Sequence, residues 1–372
     1  MRLIKRDVAQ EGLERTDPNM RWMLIMLIFV PISIALHFMH VSGTWIFLTS
    51  ALAIVPLAGF MGIATEELAK YRGVGVGGLL NATFGNATEL IIAIVAVREG
   101  EVEIVKASLI GSIVGNVLLV LGLSVLLGGL KNKMQTFNKD VAQSHATMLG
   151  VAVISLLVPA MFVRDTNMSE SHTNLRVEHL SLGVAGVLMV LYFGSLLFSL
   201  WTHETLFRGP EEGEAEKPEW KQRTAVLVLL GATVLVAIES ELLVGSIKSV
   251  VDQLHMPKLF LGVILLPIIG NAAEHSSAVM MAMKNKMDIS LNIAISSSTQ
   301  IAMFVAPLII FISPMLHHPV TVLFNTFELV AISAAAVIAV LISMDGKSHW
   351  LEGAQLLATY IIVGMAFYFI AQ

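Results

Sequence analysis

The feature that most constrains this chain is the recurrence of apolar runs about 20 residues long along nearly all of its 372 residues. A helix needs about 20 apolar residues to cross the hydrocarbon core of a bilayer. In lipid, every backbone donor and acceptor must be satisfied inside the structure, which leaves helices and closed barrels as the spanning forms. Eleven runs meet the helical requirement: 22–39, 44–69, 75–97, 104–127, 141–162, 180–201, 224–250, 257–283, 289–314, 320–344 and 350–370. Charged residues make up 14% of the chain, against about 25% in a soluble domain. A lipid-facing surface accounts for that deficit.

The placement of Lys and Arg tests the count. With the N-terminus inside, the inner segments hold 17 of the 23 basic residues, and the outer segments hold Arg98, Lys106, Arg164, Arg176, Lys248 and Lys258. Inner loops carry the excess in membrane proteins, and one miscounted span would scramble the asymmetry. The expected topology therefore has the N-terminus in the cytoplasm and the C-terminus outside. Residues 1–21, charged on both signs and without a small-residue cleavage site, read as a cytoplasmic head rather than a signal peptide. The chain has no Cys, which excludes thiolate metal sites and disulfides, and its net charge of −5 gives no sign of nucleic-acid binding.

Two segments echo each other. Gly85-Asn86-Ala87-Thr88-Glu89 lies in the third span and Gly270-Asn271-Ala272-Ala273-Glu274 in the eighth. In the span after each comes a polar cluster: Gly111-Ser112-Ile113-Val114-Gly115-Asn116, then Ser296-Ser297-Ser298-Thr299-Gln300. Phe137-Asn138 and Phe324-Asn325 open the fifth and tenth spans in the same way. The expected fold is an all-α polytopic membrane protein of eleven transmembrane helices. It consists of an extra helix (22–40) and two five-helix repeats (44–202 and 224–372), joined by an acidic cytoplasmic linker (203–223). Because five is odd, the second repeat enters the membrane from the opposite side. Inverted repeats with a site near the midplane are an architecture of secondary transporters.

A charge at the bilayer centre costs about 2.5–3.5 kcal/mol on insertion scales, so Glu89 and Glu274 need a reason to be there. Asn86 and Glu89 are three residues apart, as are Asn271 and Glu274, so each pair shares a helix face. Bringing the faces together assembles two carboxylates and two amides beside Gly85 and Gly270, where close approach or local unwinding frees carbonyl oxygens. Hard oxygen donors suit Ca2+, which takes six to eight of them. Ser112 and Asn116, and likewise Ser296 and Gln300, are four apart and are expected to line the same cavity. The alternative for all four is helix–helix hydrogen bonding.

Other acids are read differently. Glu66, Glu239 and Glu241, with Glu67, are expected to be vestibule acids, or else interfacial residues in water. Glu328 is expected to pack or hydrogen-bond rather than ligate. His145 and His275 read as satisfied interior histidines, with a proton role open to His275. Glu211, Glu212, Glu214, Glu216 and Glu219 form an acidic run in the linker, solvated and capable of weak cation gathering.

These motifs, with Thr299-Gln300-Ile301-Ala302, resemble the paired repeat motifs of the Ca2+/H+ exchangers. Those are the cation/proton exchanger branch of the Ca2+/cation antiporter superfamily, and the likeness covers nearly the whole chain. The resemblance implies that Glu89 and Glu274 bind the cation and exchange protons, and that transport proceeds by alternating access. Ca2+ and protons are then substrates, with no cofactor; the other partner is the bilayer, and the number of subunits is left open. Na+/Ca2+ exchangers of the superfamily usually place Pro before the repeat Glu, where this chain has Thr88 and Ala273. The short head lacks an autoinhibitory region of the plant type, which points to a prokaryotic plasma membrane. The alternatives are a Na+-coupled divalent cation exchanger, a cation channel and a membrane enzyme. The enzyme reading lacks an H-E-x-x-H, a G-x-S-x-G or a Cys to build on.

Overall fold

The computed structural model describes residues 18–165, 170–203 and 217–369. They form helices almost throughout. Eight of those helices are long and apolar enough to cross a membrane. They are α1 (Arg21–Phe38), α2 (Gly43–Lys70), α4 (Val102–Asn132), α5 (Lys139–Asp165), α6 (Leu175–Thr202), α7 (Gln222–Leu254), α9 (Met287–Leu316) and α11 (Trp350–Phe369). The bent pair α8a (Lys258–Gly270) and α8b (Ala272–Met283), which turn 64° from one another, is together long and apolar enough to make a ninth. The two expected spans outside this count are the helix pair α3a (Gly73–Phe84) and α3b (Ala87–Arg98), and the 17-residue α10 (Thr326–Ile342).

The two breaks share one local cause. At Asn86 the backbone leaves the helical region (φ −103°, ψ 22°), and at Asn271 it does so in nearly the same way (φ −99°, ψ 8°). Each Asn follows a Gly. Asn tolerates non-helical backbone because its short side chain bonds locally, and Asn271 Nδ2 does so, donating to Pro267 O at 3.0 Å. Further matched features accompany the breaks. A π turn interrupts α4 at Gly115–Val120 and α9 at Ile301–Val305, and such turns cluster at functional sites. Asn138 accepts from the backbone N–H of Asp140 at 3.0 Å where α5 begins, and Asn325 accepts from that of Glu328 at 2.8 Å where α10 begins.

Packing is inside-out relative to a soluble protein only at the rim. Leu227, Leu230 and Val234 of α7 and Ile361 and Ile362 of α11 turn outward, while Ile54, Ile110, Ile113, Leu118, Leu121 and Leu243 fill the interior. α2 lies along α7, and α4 lies against α8b and α11. At the α4–α8a crossing, an added Cβ on Gly111 would run into the Val263 backbone, and one on Gly262 into the Ala107 side chain. Small residues let backbones approach in this way.

The chain is not purely helical. β1 (Met134–Thr136) pairs antiparallel with β2 (Lys347–His349), with Gln135 opposite Ser348. Gln135 is buried and its Nε2 donates to Ala282 O at 2.8 Å and Asn285 Oδ1 at 3.2 Å. The ribbon therefore clamps the end of α8b, a long-range contact that periodicity does not report.

Candidate cation site at the helix breaks

Both breaks place a carboxylate in the first turn of the helix that follows, Glu89 in α3b and Glu274 in α8b. There the unpaired N–H groups of the helix start favour negative charge. Glu89 stands nine residues before Arg98 and Glu274 nine before Met283. At 1.5 Å per residue each is about 13 Å from the end of its helix, close to half the thickness of a hydrocarbon core.

The halves are interlocked crosswise. A Cβ added to Gly270 would sit 3.5 Å from Glu89 Oε1, and one added to Gly85 would sit 3.8 Å from Glu274 Oε1. Each carboxylate thus lies against the glycine of the other break, and the missing side chains leave it room. Asn86 and Asn271 are both 1% exposed. Asn86 Nδ2 donates to Gln300 Oε1, while its Oδ1 lies 3.2 Å from Ser297 Oγ. Ser297 Oγ also reaches Glu274 Oε2 at 2.7 Å. On the other side Asn271 Nδ2 reaches Ser112 Oγ at 3.4 Å. His275 Nε2 lies 3.3 Å from Asn116 Oδ1.

Two oxygens in this cluster have no partner, Glu89 Oε2 and Asn271 Oδ1. A buried acceptor without a donor is costly, and a hard cation satisfies it directly. No cluster of three or more His, Asp or Glu exists among the described residues, so ligands beyond the two carboxylates must be amide, hydroxyl or backbone oxygens. Asn86, Asn271, Ser112 and Ser297 supply that chemistry.

The sequence reading expected Ser296 here, but the serine that touches Glu274 is its neighbour Ser297. The offset of 185 residues that carries Asn86 to Asn271 carries Asn116 to Ile301 and not to Gln300. These two amides are therefore not equivalent, and stepping back four residues from each reaches non-equivalent serines. The usable signal was the equal spacing of 26 residues from Asn86 to Ser112 and from Asn271 to Ser297.

The expected vestibule acids are not gathered. Glu66 is exposed at the end of α2, with Lys70 Nζ at 3.8 Å. Glu67 is buried and tied to Lys70 Nζ at 3.0 Å and to the Trp220 backbone N–H at 2.8 Å. Glu239 is 0% exposed, so it lines no open vestibule. Its reach is toward Ser33 of α1, because helix packing on α7 turns that face inward. Glu241 is exposed and pairs with Arg98 at 2.8 Å. Glu328 is buried in a capping box with Asn325, in keeping with the hydrogen-bonding role expected for it. His145 is half-buried in α5. Of the linker acids, Glu211, Glu212, Glu214 and Glu216 lie outside the described residues, and Glu219 lies just before the Trp220 that Glu67 holds.

The chain matches the sequence profile of the sodium/calcium exchanger protein family over residues 42–201 and 224–369. It is 48% identical over 361 residues to the Ca(2+)/H(+) antiporter of Aphanothece halophytica, covering 92% of this chain and 95% of that one. It is 42% identical over 354 residues to the Ca(2+)/H(+) antiporter ChaA of Bacillus subtilis (strain 168), covering 94% and 99%. The solved structure of native YfkE superposes with a TM-score of 0.80 at 40% identity, covering 93% of this chain and 99% of that one.

Proposed function

The chain belongs to the sodium/calcium exchanger protein family, and from that premise we propose that it is a secondary antiporter moving Ca2+ across a membrane in exchange for protons. Near-full-length identity to two Ca(2+)/H(+) antiporters supports the ion pair. It also sets aside the membrane enzyme and the channel. Thr88 and Ala273, where Na+/Ca2+ exchangers usually have Pro, favour protons over Na+ as the coupling ion.

The observation that carries the site assignment is the crosswise packing of Glu89 on Gly270 and Glu274 on Gly85. In our reading Glu89 and Glu274 bind either Ca2+ or protons, with Asn86, Asn271, Ser112 and Ser297 completing the shell. Two neighbouring carboxylates in a low-dielectric interior need compensation by a cation or by protons. An empty, doubly charged site is costly to carry through the membrane barrier, so the protein reorients loaded with one substrate or the other. That restriction is what makes it an exchanger.

Eleven spans complete the reading, with α3a–α3b and α10 crossing the membrane alongside the nine above. Residues 44–202 and 224–372 are inverted repeats about the site, and α1 is the extra helix. The N-terminus and the linker face the cytoplasm, the C-terminus faces outside, and the membrane is a prokaryotic plasma membrane. The acidic linker gathers Ca2+ weakly on the cytoplasmic side, where the free ion is scarce.

The test is uptake of radiolabelled Ca2+ into proteoliposomes of the purified chain, with and without an imposed pH gradient and with Na+ gradients in parallel. Accumulation against the Ca2+ gradient, driven by protons and indifferent to Na+, is expected. Uptake driven by Na+ alone would replace this reading with the Na+-coupled one.

A further inference from the structure

Glu239 is a carboxyl group with no place in the exchange site. It lies in α7, is 0% exposed, and has no cationic partner among the groups that face it. Those groups come from each packed element. α1 presents Ser33, with Oγ 2.7 Å from Glu239 Oε1. α2 presents Ser50. α3b carries Arg98, which is engaged with Glu241 at the exposed rim. The outer end of α7 itself carries Lys248 and Asp252, both exposed.

Full burial without a facing cation favours the neutral carboxyl, and the hydrogen-bond geometry accommodates it. A serine hydroxyl has one hydrogen. Ser33 Oγ lies 2.8 Å from Val30 O as well as 2.7 Å from Glu239 Oε1, and a backbone carbonyl can only accept. With Glu239 ionised, the Ser33 hydrogen would go to the carboxylate and Val30 O would keep only its helix donor. If the Glu239 carboxyl carries a proton, it donates to Ser33 Oγ and Ser33 donates to Val30 O, and both are satisfied. Ser50 Oγ lies 2.8 Å from Ile46 O and also faces Glu239, so its one hydrogen can go to either. An ionised carboxyl so buried would carry a desolvation cost that a neutral carboxyl avoids.

We propose that Glu239 is a second proton-binding site, separate from the central carboxylate pair, and that its proton fastens α1 to α7. This geometry uses residues of α1, α2 and α7 and none from the helix breaks, so it holds whether or not Glu89 and Glu274 carry the transported ions. Losing the proton leaves a buried charge with no cation facing it. The α1–α7 contact is therefore strongest at low pH and weakens as pH rises. The sign follows from linkage: a proton bound in the folded state and not in the unfolded one makes stability fall with rising pH.

The experiment uses the full chain carrying Glu89→Gln and Glu274→Gln, so that the central pair cannot titrate and no transport is needed. Infrared difference spectra at neutral pH should show a protonated-carboxyl C=O band that disappears on adding Glu239→Gln. A spectrum unchanged by Glu239→Gln overturns the proposal. Ser33→Ala keeps every carboxyl and, should Glu239→Gln fail to fold, tests the same bond: it should shift the band, and an unmoved band overturns the link to α1. In the same background the thermal midpoint in detergent should depend on pH less steeply once Glu239→Gln is added. Equal slopes in the two proteins would also overturn it.

Discussion

Ser297 Oγ sits 2.7 Å from Glu274 Oε2, whereas Ser112, the serine at the matching spacing, reaches Asn271 and leaves Glu89 Oε2 without a partner. The two carboxylates are related by the motif but not by their hydrogen bonds. Ser297 holds the one, while an oxygen of the other has no hydrogen-bond partner.

Ser297→Ala should therefore weaken Ca2+ binding. A hydrogen bond to a charged group contributes about 1.5–3 kcal/mol, so the apparent KM should rise about ten- to a hundredfold. Ser296→Ala, one position away, should leave it within twofold. Initial uptake rates against Ca2+ concentration decide it, and equal effects from the two substitutions would remove Ser297 from the site.

Glu89→Gln and Glu274→Gln keep volume and hydrogen bonding while deleting a charge. A desolvated divalent cation is then poorly compensated, and either variant should fall below about a tenth of wild-type exchange, because the lost pairing of a buried charge costs several kcal/mol. Yield and gel-filtration profile should be unchanged. Transport above that level in both variants would refute the assignment.

Proton and Ca2+ competition has a directional signature. Acidifying the Ca2+-loading face should raise the apparent KM and spare the maximal rate, since protons there occupy the same carboxylates. Acidifying the opposite face should speed turnover, since protons there displace the bound cation. Proteoliposomes with the two faces buffered independently provide the measurement. A loss of maximal rate at constant KM on the loading side would require a separate proton path, with His275 beside Asn116 the residue to test next.

Gly111→Ala should destabilise the folded protein, because its added Cβ meets the Val263 backbone rather than a movable side-chain tip. Overpacking of this kind costs about 1–3 kcal/mol, visible as a lower thermal midpoint in detergent. Gly150→Ala, with nothing within 4 Å of its added Cβ, is the matched control and should hold or gain stability.

Topology can be read chemically because the chain has no native Cys. Single cysteines replacing Lys133 and Glu214 should label from the cytoplasmic face alone, and one replacing His172 from the outer face alone. Labelling of all three from the same side would rule out the inverted arrangement.

The sequence by itself determined the kind of fold and the identity of the two central carboxylates. Apolar length is a local property, and lipid leaves helices as the outcome for such runs. Gly85-Asn86-x-x-Glu89 and Gly270-Asn271-x-x-Glu274 mark both the broken helix and the charge that the break accommodates. Only the tertiary structure decided which groups meet. Glu89 finds Gly270 and Glu274 finds Gly85 across some 180 residues of chain, a pairing that depends on how α3 and α8 cross and not on either segment alone. Ser297, the counterpart of Ser112 at the offset that carries Asn86 to Asn271, is the serine that packing brings to Glu274. Glu239 read as a vestibule acid because, with Glu241, it lies near the outer half of α7. Its burial comes from Ser33 and Ser50, brought by α1 and α2 from about 200 residues away. Helical periodicity assigns residues to a face, and packing alone determines what that face touches.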